Sequence, residues 1–393
     1  YHCVRFLFVI VLLCSCGRAC GQSPDAATHA LRRACLYLWS QQADDGGWHS
    51  GQYGLLRSGQ ALTPFVLHTL LQVPESACPR PEGRIDRALD FIRTHVDEHG
   101  ALGHADPDVA EYPVYSTAYA VQCLAIVGKE SDAALSAKMT GYLTRAQFNR
   151  DNGFDRSMPA YGGWGFDAPT EPGKAGHMDL AHTRRALLAI EAHCARWVPQ
   201  SVRRNPKEAD MFLRVVQRHP NAVPAQPHPD GGGKAAPAPY DGGFYFSPVV
   251  LAANKGGVET DANGAKYFRS YATATCEGWL ALRAARVSRF DERCAKAEEW
   301  LRAHDNLDYP EGIPTDGPEP WGEAIRFYHY AVRAEAYEQL NWPGDWQVKL
   351  TAAVVKHQAT DGRFRNTASP LMKEDDPLVA TTLAVVALNY CSL

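Results

Sequence analysis

Two residues near the middle of the chain have the types and spacing for proton chemistry. Asp179 and His182 lie three apart in Met178-Asp179-Leu180-Ala181-His182-Thr183, so on a helix they share one face. A carboxylate beside an imidazole can act as a general base. The same Asp can equally cap the helix, with the His incidental. A second acidic group, Glu374-Asp375-Asp376, stands before Pro377, where carboxylates cap a helix start and favour its dipole. The chain has no Asp-x-Asp-Asp, from which a carboxylic acid could protonate an alkene or epoxide. Nor has it an Asp-Asp-x-x-Asp to hold magnesium against a diphosphate. Asp261-Ala-Asn263-Gly264 opens like a calcium loop but lacks the remaining ligands, so a turn is expected there. Glycoside hydrolysis needs two carboxylates roughly 5–9.5 Å apart, and Asp179 with Asp241 is the pair the chain offers.

Helices must position these groups, and helical spacing of apolar residues recurs throughout. First helices are expected over Ala26 to Gln42, Ile85 to Val96, Ala133 to Gln147, Pro206 to Gln217, Asp291 to Ala303 and Trp346 to Gln358. More apolar second helices follow over Thr63 to Leu71, Val114 to Val127, Met178 to His193, Tyr271 to Val287, Trp321 to Leu340 and Pro377 to Tyr390. Gly-and-aromatic turns separate most partners, as in Tyr161-Gly162-Gly163-Trp164-Gly165-Phe166 and Asp241-Gly-Gly-Phe-Tyr-Phe246. Helix pairs at a roughly constant period indicate a repeat architecture, as an open solenoid or a closed ring. Residues 219–240 are rich in Pro and Gly and form an insertion. Strand signals are scarce.

Gln42-(x3)-Gly46-x-Trp48 and Gln358-(x3)-Gly362-x-Phe364 resemble the QW repeat of squalene–hopene cyclases, with a looser copy at Gln147 to Phe154. Gly163-Trp164-Gly165-Phe166, the Asp179 segment, Ser270-Tyr271-Ala272-Thr273, Phe327-Tyr328-His329-Tyr330 and Asp376-Pro377-Leu378-Val379 follow in order. That order resembles the exported bacterial proteins built from prenyltransferase and squalene oxidase repeats. The resemblance implies an all-α fold, an (α/α)6 toroid over residues 22–393, with a central cavity at the N-terminal ends of the inner helices. It places Tyr115, Tyr119, Trp164, Phe166, Tyr271, Cys276, Tyr328, His329 and Tyr330 around that cavity with Asp179 and His182. Protein prenyltransferases on this fold hold zinc with Asp, Cys and His. Asp179, Cys276 and His329 are the corresponding candidates here, although the Asp-x-Cys spacing is missing. No resident metal or cofactor is expected. The function implied is the binding of an apolar or isoprenoid-like ligand, with catalysis open because the cyclase acid pattern is absent. A polysaccharide-active toroid and a scaffold that binds another protein are the alternatives.

With 393 residues and 45% hydrophobic content, the chain can bury a large core. A formal net charge of -4 gives no reason to expect nucleic acid as a partner. Arg5, the apolar run Phe6 to Leu13 and the small residues to Gly21 resemble a signal peptide. Leu13-Cys14-Ser15-Cys16 resembles a lipoprotein box, which would lipidate Cys16. An exported, periplasmic or extracytoplasmic protein is therefore expected. The seven later cysteines form no CxxC pair and lie mostly in apolar helical patterns, as buried free thiols do.

Overall fold

The computed structural model describes residues 24–200, 207–231 and 235–392. Residues 1–21, with Cys16 and the leader expected there, lie outside the described residues, as does Pro206. No described helix is long and apolar enough to cross a membrane.

Six outer helices are α1 (Pro24–Ser40), α3 (Arg84–His95), α5 (Ala133–Arg145), α7 (Lys207–Val216), α9 (Glu292–Ala303) and α12 (Trp346–Val355). Each has one apolar stripe; α3 buries Ala88, Leu89, Phe91 and Ile92 and turns its charged residues outward. The inner helices are α2 (Leu62–Gln72), α4 (Pro113–Val127), α6 (Leu180–Trp197), α8 (Ala272–Ala284), α11 (Arg326–Leu340) and α13 (Pro377–Ser392). These are buried on most faces; α4 buries every residue from Ser116 to Leu124. Each inner helix packs on the next, and α13 packs on α2, while α1 packs on α12 and α13. The ring is closed, and the open solenoid is excluded.

A recurrent clamp builds it. The Gln42 carboxamide donates to Gly46 O at 2.9 Å and to Arg84 O, on the next outer helix, at 3.0 Å. Gln217 does the same to Gly242 and Arg293. Gln358 bonds Gly362 O at 3.0 Å and Ala30 O at 2.8 Å, which joins the last outer helix to the first. In the next step of each turn, the amide of Trp48, Trp164, Phe244 or Phe364 donates to a threonine on the inner helix, Thr63, Thr183, Thr275 or Thr381. The turn glycines must approach the neighbouring helix backbone. Gly362 has φ +93, and a Cβ there would sit 2.5 Å from Arg33 O.

The expected fifth inner helix is interrupted. Trp321–Ala324 (α10) and α11 are separate, with Ile325 between them at φ -106 and ψ 24. Glu374 is the cause. Its carboxylate accepts the N–H groups of Phe327 at 2.9 Å and Tyr328 at 2.8 Å, which a continuous helix would give to Glu323 and Ala324. Asn366 donates to the freed Glu323 carbonyl at 2.7 Å. Asp376, as expected, caps α13 through the Leu378 amide at 2.8 Å. The described part of 219–240 contains no helix. Asp261 to Gly264 is the turn of a hairpin between β1 (Val258–Thr260) and β2 (Lys266–Phe268). None of the seven described cysteines is in a disulfide, and all but Cys194 are buried.

His104 clasps two turns together, with Nδ1 3.1 Å from Asp97 and Nε2 2.8 Å from Asp167. The Asp167 hydrogen bond pushes the imidazole up, burial opposes it, and Asp97 adds to the rise, leaving it at about 9. Its contribution is therefore complete below about pH 6.5 and lost as pH climbs through about 9. Between those values the melting temperature of the wild type should fall more steeply than that of His104→Asn; parallel curves would remove the clasp from the account. Gly362→Ala should cost about 1–3 kcal/mol in denaturant unfolding. It should cost more than Gly344→Ala, which shares the left-handed backbone (φ +90) but faces open space. Equal losses would mean that the contact with Arg33 is slack.

Candidate functional site: a cavity on the ring axis

The inner helices enclose a cavity of about 870 Å³. Leu62, Phe65, Tyr119, Leu188, Val332, Val379 and Leu383 supply its apolar wall. Tyr112, Phe166, His177, Phe246, Lys255, Trp321 and Glu374, from the loops and helix starts, surround its mouth. Helix α8 is shut out of the lining by a buried ionic cluster. Arg184 on α6 bonds Glu277 at 2.9 Å and also Glu335, while the Tyr328 hydroxyl donates to Glu277 at 2.5 Å.

Asp179 and His182 lie in the wall, with Tyr115, Tyr119, Phe166 and Tyr328. Five other expected residues do not. Trp164 packs between α5 and α6, its indole donating to Leu143 O at 2.6 Å. Tyr271 precedes the first residue of α8, and Cys276 is buried on that excluded helix, its thiol pushed up to about 11 by burial. Successive helix residues diverge by about 100°, so Tyr328, His329 and Tyr330 cannot all face inward. His329 instead meets Thr273 at 3.1 Å, and the Tyr330 hydroxyl bonds Asp308 at 2.5 Å. Asp179, Cys276 and His329 therefore do not converge as a zinc set. Asp241 is ion-paired with Arg218 at 2.8 Å and lies outside the cavity lining, so it does not face Asp179 across that space.

The site's polar focus is a triad that includes His177, a residue the sequence reading missed. Asp179 Oδ1 caps α6 through the His182 amide at 2.9 Å and meets His182 Nδ1 at 2.9 Å. Its Oδ2 lies 3.2 Å from His177 Nε2. The His-x-Asp-x-x-His spacing was the available signal, because an extended residue and a helix N-terminus bring those positions together. Asp179 is thus both the cap of α6 and a hydrogen-bond partner of the His182 ring, so that the histidine is not incidental to the cap. Burial alone would raise its carboxyl; the charge of His182 and hydrogen bonds from both histidines outweigh this and hold it well below the usual range.

The three side chains offer donor atoms within 4.8 Å of one another, close enough to share a cation. His182 Nδ1 is taken up by Asp179, and its Nε2 has no partner among the described residues. Two more groups titrate nearer neutrality. Burial raises Glu374 to about 7 against the pull of the Phe327 and Tyr328 amides. Burial also lowers Lys255, whose ammonium sits 3.6 Å from the Trp321 ring centroid, to about 8.

Removing the cap should expose its structural share. Asp179→Ala should cost about 1–3 kcal/mol of stability. His177→Ala, at a half-exposed side chain, should stay within about 0.5 kcal/mol. Equal denaturant midpoints for the two variants would show that the cap carries nothing.

No protein-family model matches the chain, and no curated protein matches it in sequence. Solved structures match it in fold. A variant of the type II terpene cyclase MstE from Scytonema, without ligand, superposes with a TM-score of 0.56 at 13% identity, over 94% of this chain and 98% of that one. Another variant of the same enzyme, in complex with its substrate geranylgeranyl dihydroxybenzoate, gives 0.54 at 12% identity over 94% and 98%. A protein from Actinoplanes gives 0.55 at 16% identity over 93% and 100%. The all-α, terpenoid cyclase and prenyltransferase-like architecture is thus the fold of this chain.

Proposed function

We propose that this cyclase-like toroid holds an apolar or isoprenoid-like ligand on its axis. The observation that carries the proposal is the cavity itself. Its volume of about 870 Å³ lies within the range of small-molecule sites. Aliphatic and aromatic side chains make up most of its lining, with ionisable groups at the loops and on α2, α6 and α11. Such a surface loses free energy by staying hydrated and gains it by closing on a hydrocarbon chain. A protein of the same fold holds a prenylated substrate, which supports the choice of ligand class.

Asp179 and His182 are the residues we assign to any proton transfer in this space. Asp179 is held too weakly basic and too firmly ionised to protonate an alkene. Its role is to orient the His182 imidazole, the group we assign to proton transfer here. Glu374, at about 7, is the carboxyl that remains protonated over the widest pH range at the mouth. Export through the leader-like residues 1–21 belongs to the same proposal, with cleavage before Gln22 or, as the alternative, lipid attachment at Cys16.

Mass spectrometry of molecules extracted from the purified protein should find a terpenoid or similarly apolar compound in near-stoichiometric amount. Leu383→Trp, which fills the cavity from α13, should weaken binding of a geranylgeranyl probe at least about tenfold and leave the fold intact. An empty extract together with unchanged probe binding in that variant would refute the reading.

A further inference from the structure

Resting on the cavity reading, we infer that the ligand is a long-chain carboxylic acid whose carboxylate is held inside the cavity by Arg185. This side chain lies about one helical turn deeper along α6 than His182 and lines the same space. Its neighbour Arg184 engages both nearby carboxylates, Glu277 and Glu335, and Tyr328 takes a further contact on Glu277. Arg185 is left without a hydrogen bond or ion pair to any described residue, its Nε fully enclosed. Its guanidinium lies over the Tyr119 ring, 5.1 Å from the centroid. A guanidinium taken out of bulk water with its donors unmatched is strongly unfavourable unless something else supplies the acceptors.

A second group stands beside the same aromatic ring. His68 on α2 lies tilted against Tyr119, with ring centroids 5.2 Å apart. Burial, with the charge of Arg185, pushes its imidazole down to about 3, so it stays neutral. It therefore adds a hydrogen-bonding group without a second positive charge. A planar carboxylate satisfies the guanidinium fork in two parallel bonds. A hydrocarbon or a simple alcohol leaves most of that fork unmatched. At the depth of Arg185 a diphosphate would bring several negative charges to one unpaired guanidinium beside Glu277 and Glu335, and the chain lacks an Asp-Asp-x-x-Asp to bring magnesium. The tail then runs along the apolar wall towards Trp321 at the mouth.

Calorimetric titration of the full chain with geranylgeranoic acid, geranylgeraniol and geranylgeranyl diphosphate tests this. The acid should bind at least about tenfold more tightly than either of the others. Arg185→Met should bring the acid to the affinity of the alcohol and leave the alcohol unchanged. Should that variant fail to fold, Arg185→Lys, which keeps the charge and loses the fork, must still narrow the ratio. Equal binding of acid and alcohol by the wild type, a preference for the diphosphate, or an unaltered ratio in the folded Arg185 variants overturns the inference while leaving the cavity reading in place. If none of the three compounds binds, the cavity reading falls and the inference falls with it.

Discussion

The structure depends on a side-chain amide at the exit of an outer helix. A backbone carbonyl has two lone pairs, so one already used within a helix can still accept a side-chain N–H. At Gln42, Gln217 and Gln358 one carboxamide binds the following glycine carbonyl and a carbonyl of the next outer helix. A single residue thus sets both the bend of a hairpin and its angle to the next. Glycine is required beside it because the backbone there runs within a Cβ's reach of the adjacent helix. Threonine on the inner helix then receives the amide of the turn's aromatic residue, which fixes the height of the inner helix against the outer one.

The cavity follows from that arrangement, and so does its charge pattern. Inner helices set at a common height bring their N-terminal ends to one face of the ring, where a carboxylate is favoured by orphan amides and by the helix dipole. Asp179 and Glu374 both occupy such positions, one as the residue before its own helix and the other reaching across from a distant loop. Further in, where no helix end is available, Arg184 is matched by two carboxylates while Arg185 beside it is not. Arg184 with Glu277 and Glu335 seals the side of the ring where α8 stands and narrows the space left to a ligand.

The fold was largely legible because its signals are local. Apolar periodicity marked the helices, and Gly-aromatic turns marked their junctions. The glutamines and glycines carried the ring-closing contacts openly. Asp179 and His182 were legible as partners because one helix start suffices to bring them together. Tyr328, His329 and Tyr330 looked equivalent in sequence, yet the phase of α11 admits only Tyr328 to the cavity. Cys276 was misplaced because nothing local reveals that Arg184 and Glu277 would screen α8. The break at Ile325 was hidden for a similar reason, since it is imposed by Glu374, 49 positions away in the chain. His177 and Arg185 were passed over because their importance lies in the partners they have, or lack, across the ring.

Closure also makes the order of the hairpins cyclic. The helices that begin and end the described chain, α1 and α13, are neighbours, and the contact of Gln358 with Ala30 is of the same kind as that of Gln42 with Arg84. Open stacks of repeats need specialised end units to cover their terminal faces. This hoop has no terminal face, so none of its six hairpins is structurally first. Joining the two neighbouring ends and reopening the chain within residues 219–240 would preserve the closed set of helix contacts. Folding could then begin from any hairpin, with the seam between α12 and α1 no different in kind from the other joints.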